Sequence, residues 1–250
     1  MSETSIGTSI ETLGVIPARY GSTRLPGKPL LKLCGKELVL RVWEGARRSA
    51  SLDRLIVATD CGRIADLVEK AGGEAMRTPA ELPTGSDRVA YVAKRVPSRF
   101  VVNIQGDDPM AAPEMIDPLT EVLKQDLQVT LAVLAKKIDR PEEAERTSIV
   151  KVVFDKSGRA LYFSRSPIPF SEDPTTVRFK HIGPYAWRRE ALFEFASHPR
   201  TPLEKSENLE MLRVLETGGV IRCVETDIDT LEIDTPEDVR RFEEFFSARS

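Results

Sequence analysis

The sequence predicts an α/β fold: a mostly parallel sheet with helices on both faces. Three observations carry this. From Leu13 to Ala135, short apolar β-branched runs alternate with amphipathic stretches, the pattern of βαβ units. The first such run leads straight into a Gly/Pro-rich, cationic loop, at the sheet end where open α/β sheets bind ligands. After Lys136 the alternation gives way to paired strands and a Pro-rich loop, which reads as an insertion packed on the sheet.

In chain order, Leu13 to Pro17 is an apolar strand and Glu37 to Ser49 an amphipathic helix. Arg54 to Thr59 is a β-branched strand, followed by a helix over Ile64 to Ala71. Ser86 to Arg95 predicts a helix and Phe100 to Gln105 a strand. Pro113 to Lys124 is helical, with proline at its start, and Gln128 to Ala135 is a strand. Within the insertion, Ile149 to Asp155 and Ala160 to Ser164 are expected to pair around the turn Lys156-Ser157-Gly158. The Pro-rich loop spans Ser166 to Pro174. His181 to Trp187 is a strand, and Arg189 to Ala196 and Leu203 to Thr217 are helices. Val220 to Glu225 and Pro236 to Phe246 close the chain as strand and helix.

The 250 residues are 41% hydrophobic and 30% charged, enough for one full core. A net charge of -3 argues against non-specific nucleic-acid binding, which needs a basic face. Cys34, Cys61 and Cys223 are scattered and odd in number, as expected of free thiols in a reducing compartment. With two histidines, His181 and His198, a Cys/His zinc site is not expected. No apolar run has membrane-spanning length. Met1 to Glu11 is polar and lacks a basic n-region, so a short disordered lead (1–11), a single domain (12–250) and a cytoplasmic location are expected.

Chemistry has four candidate places. Val15 to Leu30 offers Gly21 and Gly27 for close backbone approach and the cations Arg19, Arg24 and Lys28, a set suited to a triphosphate. It is not a P-loop: the two glycines are one residue too far apart, and Pro29 replaces the metal-binding hydroxyl. A solvated surface turn is the alternative. Val101 to Pro109 runs an apolar strand into Gly106, Asp107 and Asp108, where a carboxylate can hold Mg²⁺ beside phosphates or merely close a turn. In Leu231 to Asp238, Thr235 and Pro236 read as the start of the last helix, which leaves Asp234 as a second metal-ligand candidate. Pro83 to Arg88 enters a helix, and its hydroxyls either cap that helix or read a nucleobase.

Together these segments resemble the 3-deoxy-manno-octulosonate cytidylyltransferase (CMP-Kdo synthetase) family over nearly the whole chain. The resemblance rests on IPARYGSTRLPGKPL, VATD at Val57 to Asp60, GSDR at Gly85 to Arg88, NIQGDDP, VKVVFD, ALYFSRSPIP and IDTPEDV. It implies a Rossmann-like nucleotidyltransferase fold, a homodimer, Mg²⁺, and an acceptor-binding and dimerisation subregion at about 137–217. It further implies that Arg19, Arg24 and Lys28 grip the CTP phosphates, with Ala18, Gly21 and Ser22 lining the nucleotide. Ser86, Arg88 and Gln105 would sit near the base or between base and sugar. Asp107 and Asp234 would hold the metal, and Lys28, Arg19, Asp107 and Asp234 form the implied catalytic set. Gln105, Arg165, His181, Tyr185, Glu210 and Met211 would face the acidic sugar.

Departures cluster in the acceptor half. Met211 stands where the family usually has glutamine, and a thioether cannot replace that side chain's hydrogen bonds. Pro184 interrupts the strand at His181 to Trp187, which predicts an edge strand or altered local pairing. Lys205, Ser206 and Asn208 also differ from the family pattern. The resulting expectation is CMP transfer from CTP to 3-deoxy-manno-octulosonate for lipopolysaccharide synthesis. Its alternatives are the same chemistry on another acidic acceptor or a phosphonate, and a nucleotide-binding regulatory protein without turnover. A glycosyltransferase is disfavoured because Asp107-Asp108-Pro109 supplies no DxD motif.

Overall fold

The structure is a computed structural model that describes residues 10–21, 25–173 and 175–247. Strand β1 (Thr12–Pro17) lies between two parallel neighbours, β4 (Arg54–Thr59) and β6 (Phe100–Asn103). A further strand, β5 (Glu74–Arg77), pairs in parallel with β4 at one edge. Sequence reasoning missed it because Glu-Ala-Met-Arg carries no β-branched residue; pairing to β4 makes it a strand. A short antiparallel ribbon, β2 (Lys32–Leu33) and β3 (Lys36–Glu37), was likewise not anticipated.

Period-two alternation sends the sheet's side chains into two separate cores. Leu13, Val15, Ile56, Ala58 and Val101 enter one, while Ile16, Val57 and Val102 enter the other. Helices α1 (Leu38–Ala46), α2 (Gly62–Lys70), α4 (Pro113–Gln125) and α9 (Pro236–Ser247) bury their apolar stripes in the second core. The first core is closed by α3 (Gly85–Ala93), α6 (Arg189–Ser197) and α8 (Glu210–Glu216). The central strands are therefore apolar on both faces, as a covered parallel sheet requires.

The rest of the sheet is built by β7 (Leu131–Lys137), β10 (Phe179–Arg188) and β11 (Ile221–Thr226). Its order is β11-β7-β10-β6-β1-β4-β5, with β10 antiparallel to both β6 and β7. The expected hairpin forms between β8 (Lys151–Phe154) and β9 (Ala160–Ser164), and β8 also pairs with the start of β10. Asp155 shapes its turn by accepting the Ser157 N–H at 2.8 Å, and Gly158 adopts φ 83°.

Of the two readings of Pro184, altered local pairing holds and an edge strand does not, because β10 is a central strand. The strand tolerates it because the β10–β7 register shifts between Ile182 and Tyr185, freeing that position from the ladder. The helix expected over Leu203 to Thr217 is two helices, α7 (Pro202–Glu207) and α8, broken at Asn208 with φ 54° and ψ 49°. Asparagine tolerates this left-handed conformation. Tertiary partners hold the break: the Glu207 carboxylate accepts Ser164 Oγ at 2.6 Å and the Arg165 N–H at 2.9 Å. A one-turn helix, α5 (Pro141–Ala144), and a 3-10 turn at Lys28–Leu30 complete the described elements. Among the described residues no helix is long and apolar enough to cross a membrane. Of the expected 1–11 lead, residues 1–9 lie outside the described residues, while Glu11 accepts the Arg99 and Phe100 N–H groups.

Candidate active site

In the order β6-β1-β4, the chain runs from β1 to β4 on one side and returns to β6 on the other. This is a topological switch point, where loops diverge and leave a crevice at the strands' carboxyl ends. A cleft of about 240 Å³ opens there, lined among others by Ala18, Arg19, Lys28, Gln105, Asp107 and Asp234.

Close backbone approach makes the crevice. A Cβ on Gly106 would lie 2.3 Å from the Pro17 carbonyl oxygen, so only glycine lets the loop after β6 pass the end of β1. Gly27, at φ 71°, turns the cationic loop into the 3-10 segment that carries Lys28. The Ile233 N–H donates to the Asp107 carbonyl at 2.9 Å, which lays the C-terminal segment beside the β6 loop. Thr235 and Asp238 then cap α9: Asp238 Oδ2 accepts Thr235 N at 2.8 Å and Thr235 Oγ1 at 2.8 Å. Capping thus accounts for Thr235 and Asp238, and it leaves Asp234 facing Asp107.

Between these two carboxylates sits the Lys28 ammonium, 2.8 Å from Asp107 Oδ2 and 2.8 Å from Asp234 Oδ1. Lys28 is only 9% exposed. Burial works against its charge, but Asp107 and Asp234 outweigh it and raise its pKa. The adjacent aspartates differ sharply. Asp107 opens to the cleft, whereas Asp108 is 2% exposed, accepts the Met110 N–H at 2.9 Å, and is pushed by burial up to about 7.

On the other wall, α3 begins with a capping box between Thr84 and Asp87, so the Pro83–Arg88 hydroxyl at Thr84 is a cap. Ser86 instead donates to Glu210 Oε2 at 2.6 Å. The Tyr185 hydroxyl lies close to both Ser86 and Gln105, and it is held well above its usual pKa, first by burial and then by Glu210. The carboxyl of Glu210 is also raised by burial. A buried polar chain thus runs from Gln105 at the cleft through Tyr185 and Ser86 to α8. It demands Gly183, where a Cβ would lie 2.5 Å from Gln105 Cγ. Arg88 lines the cleft with its guanidinium buried; Nη1 donates to Thr78 and to the Pro79 carbonyl.

The remaining implied acceptor residues are spread more widely. His181 lies next along β10, its ring 6.2 Å from that of Tyr185; burial lowers its pKa to about 4, so it is neutral. Its Nδ1 faces the Leu134 carbonyl at 3.3 Å, which leaves Nε2 as the acceptor. Arg165 is occupied with backbone carbonyls, from Nε to Glu207 at 2.8 Å and from Nη1 to Thr147 at 2.9 Å. Met211 is 6% exposed and packs in the core. Gly21 is exposed, and Ser22 and Arg24 lie outside the described residues. Sequence reasoning left Asp60 without a role, although it stands at the carboxyl end of β4, beside β1; that placement was the available signal.

Two carboxylates converging on one cation, with Arg19 and Arg88 alongside, can take a polyphosphate together with a divalent metal. A switch-point cleft of this chemistry on this sheet makes the protein a nucleotidyltransferase. A family model described as "Cytidylyltransferase" matches residues 13–228. The 3-deoxy-manno-octulosonate cytidylyltransferase of Syntrophotalea carbinolica is 45% identical over 239 residues, covering 92% of this chain and 96% of that protein. The protein of the same name from Chlamydia pneumoniae is 43% identical over 241 residues, 95% of this chain and 94% of its own. The solved CMP:2-keto-3-deoxy-manno-octonic acid synthetase complexed with CTP superposes with a TM-score of 0.91 at 37% identity, over 96% of this chain and 100% of that one. At 16% identity and a TM-score of 0.67, 4-diphosphocytidyl-2C-methyl-D-erythritol synthase from Anaerococcus prevotii shares the fold over 96% of this chain and 97% of its own. The chain belongs to the cytidylyltransferase family, in its 3-deoxy-manno-octulosonate cytidylyltransferase branch.

Proposed function

We propose that this protein transfers CMP from CTP to the anomeric hydroxyl of 3-deoxy-manno-octulosonate. Pyrophosphate is released, the reaction depends on Mg²⁺, and the product serves lipopolysaccharide synthesis. The observation that carries the reading is the Asp107–Lys28–Asp234 arrangement at the switch point of a chain so similar to proteins of that name. An assembly as a homodimer and a cytoplasmic location are part of the same proposal, with no nucleic-acid or membrane partner.

The residues fit a divalent cation, because both carboxylates already point at one cationic nitrogen. Among the described residues no third acidic, His or Cys ligand joins them, which suits Mg²⁺, a cation that completes its shell with water and phosphate oxygens. Bound at Asp107 and Asp234, Mg²⁺ supplies charge neutralisation to the phosphates. Arg19 and Lys28 grip the phosphates, with Arg24 of the same loop, and Lys28 turns from the aspartates to the triphosphate when CTP enters. Ala18, Gly21 and Ser22 line the nucleotide; Ser86, Arg88 and Gln105 hold the base side. Gln105, Tyr185 and Glu210, with His181 and Arg165, orient the acceptor. The anomeric hydroxyl gives up its proton to water as its oxygen bonds to the α-phosphorus. The bond from that phosphorus to the bridging oxygen breaks, pyrophosphate leaves with that oxygen, and the fixed cations stabilise the charge that develops.

A second reading keeps the CTP chemistry on a different acidic acceptor. It is favoured by Met211, whose buried thioether offers a sugar hydroxyl no strong hydrogen bond. Pyrophosphate release with CTP and Mg²⁺ across 3-deoxy-manno-octulosonate, its amino analogue, sialic acid and small phosphonates decides between them. Release with the first acid supports the main reading. Release with another acid alone reassigns the acceptor, and CTP binding with no release from any acceptor overturns both.

A further inference from the structure

Asp60 directly follows β4 at the carboxyl end of the sheet, where the cleft opens, yet it is not among the residues lining the cleft. Its two carboxylate oxygens serve different parts of the site. Oδ1 accepts the Tyr20 N–H at 2.9 Å. Oδ2 lies 4.0 Å from Arg88 Nη2. Tyr20 is one side of the neck of the cationic loop: its carbonyl accepts the Gly27 N–H at 3.1 Å, and Lys28 follows directly. The neck is tight, since a Cβ on Gly27 would lie 3.2 Å from the Tyr20 ring, and the Arg63 guanidinium lies over that ring, 4.8 Å from its centroid. Arg88 is 1% exposed, and its Nη2 has no hydrogen-bond partner. A buried guanidinium without a counter-charge is costly, and the Asp60 carboxylate faces it.

We propose that Asp60 is a positioning residue for the nucleotide: one oxygen fixes the neck of the phosphate-gripping loop, and the other holds the charge of Arg88. The inference rests on the CTP reading of the cleft. A single side chain then sets the spacing between the triphosphate side and the base side. Losing it leaves the loop free to open at Tyr20 and leaves Arg88 without its anion, so nucleotide affinity falls while the acceptor wall, built on β10 and α8, stays in place.

The test is calorimetric titration of CTP into the wild type, Asp60→Ala and Asp60→Asn, together with KM for CTP and for the acceptor. In Asp60→Ala, CTP affinity should fall about tenfold, the effect of one charge-assisted hydrogen bond. The acceptor KM should stay within about twofold, below the loss that a single hydrogen bond would cause. Asp60→Asn keeps an oxygen for Tyr20 but no charge for Arg88, so it should fall between the two; it also serves if the alanine variant does not fold. Unchanged CTP affinity in folded Asp60→Ala overturns the proposal, as does a parallel rise in both KM values, the mark of a general structural role. Wild type that fails to bind CTP would instead overturn the reading of the cleft itself.

Discussion

Replacing Lys28 with alanine tests the central geometry most directly. The substitution removes one ammonium and two hydrogen bonds of 2.8 Å, to Asp107 and Asp234. Hydrogen bonds to charged groups contribute about 1.5–3 kcal/mol each when buried. The Lys28 side chain is 11% exposed, but those of Asp107 and Asp234 are 30% and 27% exposed, so water screens both pairs. A net stability loss of about 1–2 kcal/mol is the expected size after that discount. The sign with pH follows from the raised pKa of Lys28: its contribution is fully present below pH 10.5 and is lost as pH climbs through the higher folded value. The alanine variant should therefore be less stable than wild type at neutral pH, with the gap closing in strong alkali. Its two aspartates also repel each other without the ammonium between them, so Mg²⁺ should raise the melting temperature of the variant more than that of wild type. In turnover, loss of a cation that stabilises the transferring phosphates should cost about 10²–10³ in kcat, the size seen for removal of one preorganised donor. Urea unfolding and pyrophosphate release measure the two effects. Turnover within about threefold of wild type, far below the loss of a preorganised donor, would show that Lys28 is a structural counter-ion only.

The paired aspartates should separate cleanly. Asp107→Asn should lower kcat by at least about 10², the scale of a lost electrostatic stabiliser, with little change in melting temperature. Asp108→Asn should keep activity, because asparagine mimics the protonated acid; since the wild-type carboxyl is raised to about 7, wild type loses stability as pH climbs from 3.8 to 7, and urea unfolding should favour the variant increasingly over that range. His181 should remain neutral down to about pH 5, so its NMR ring resonances should not titrate between pH 8 and 5. Gly106→Ala should destabilise the fold by about 1–3 kcal/mol and reduce turnover, because its Cβ would meet the Pro17 carbonyl; full activity at unchanged stability would refute the close-approach account.

Part of this fold follows from local pattern alone. Alternating apolar runs specify β1, β4, β6 and β7, because each strand's side chains report its own two-faced burial. The cationic loop at the end of β1 and the Gly-Asp step after β6 were legible because a strand's carboxyl end is a local feature, read from one stretch of chain. The order of elements and the parallel character of the first half follow from the same signals.

The remainder depends on contacts between segments far apart in the chain. Lys28 meets Asp107 across 79 residues and Asp234 across 206, a juxtaposition no periodicity encodes. Asp107 and Asp108 are identical in sequence terms, and only the packing after β6 turns one to the cleft and buries the other. Pro184 reads as an edge strand or as altered local pairing, and only the folded sheet selects the second, with a register shift that seats it in a central strand. The 203–217 stretch reads as one helix, and contacts from Ser164 and Arg165 break it at Asn208. The physical reason is common to all four: side-chain spacing carries the energetics of neighbours along the chain, whereas orientation, charge pairing and strand reversal depend on partners that folding brings from elsewhere.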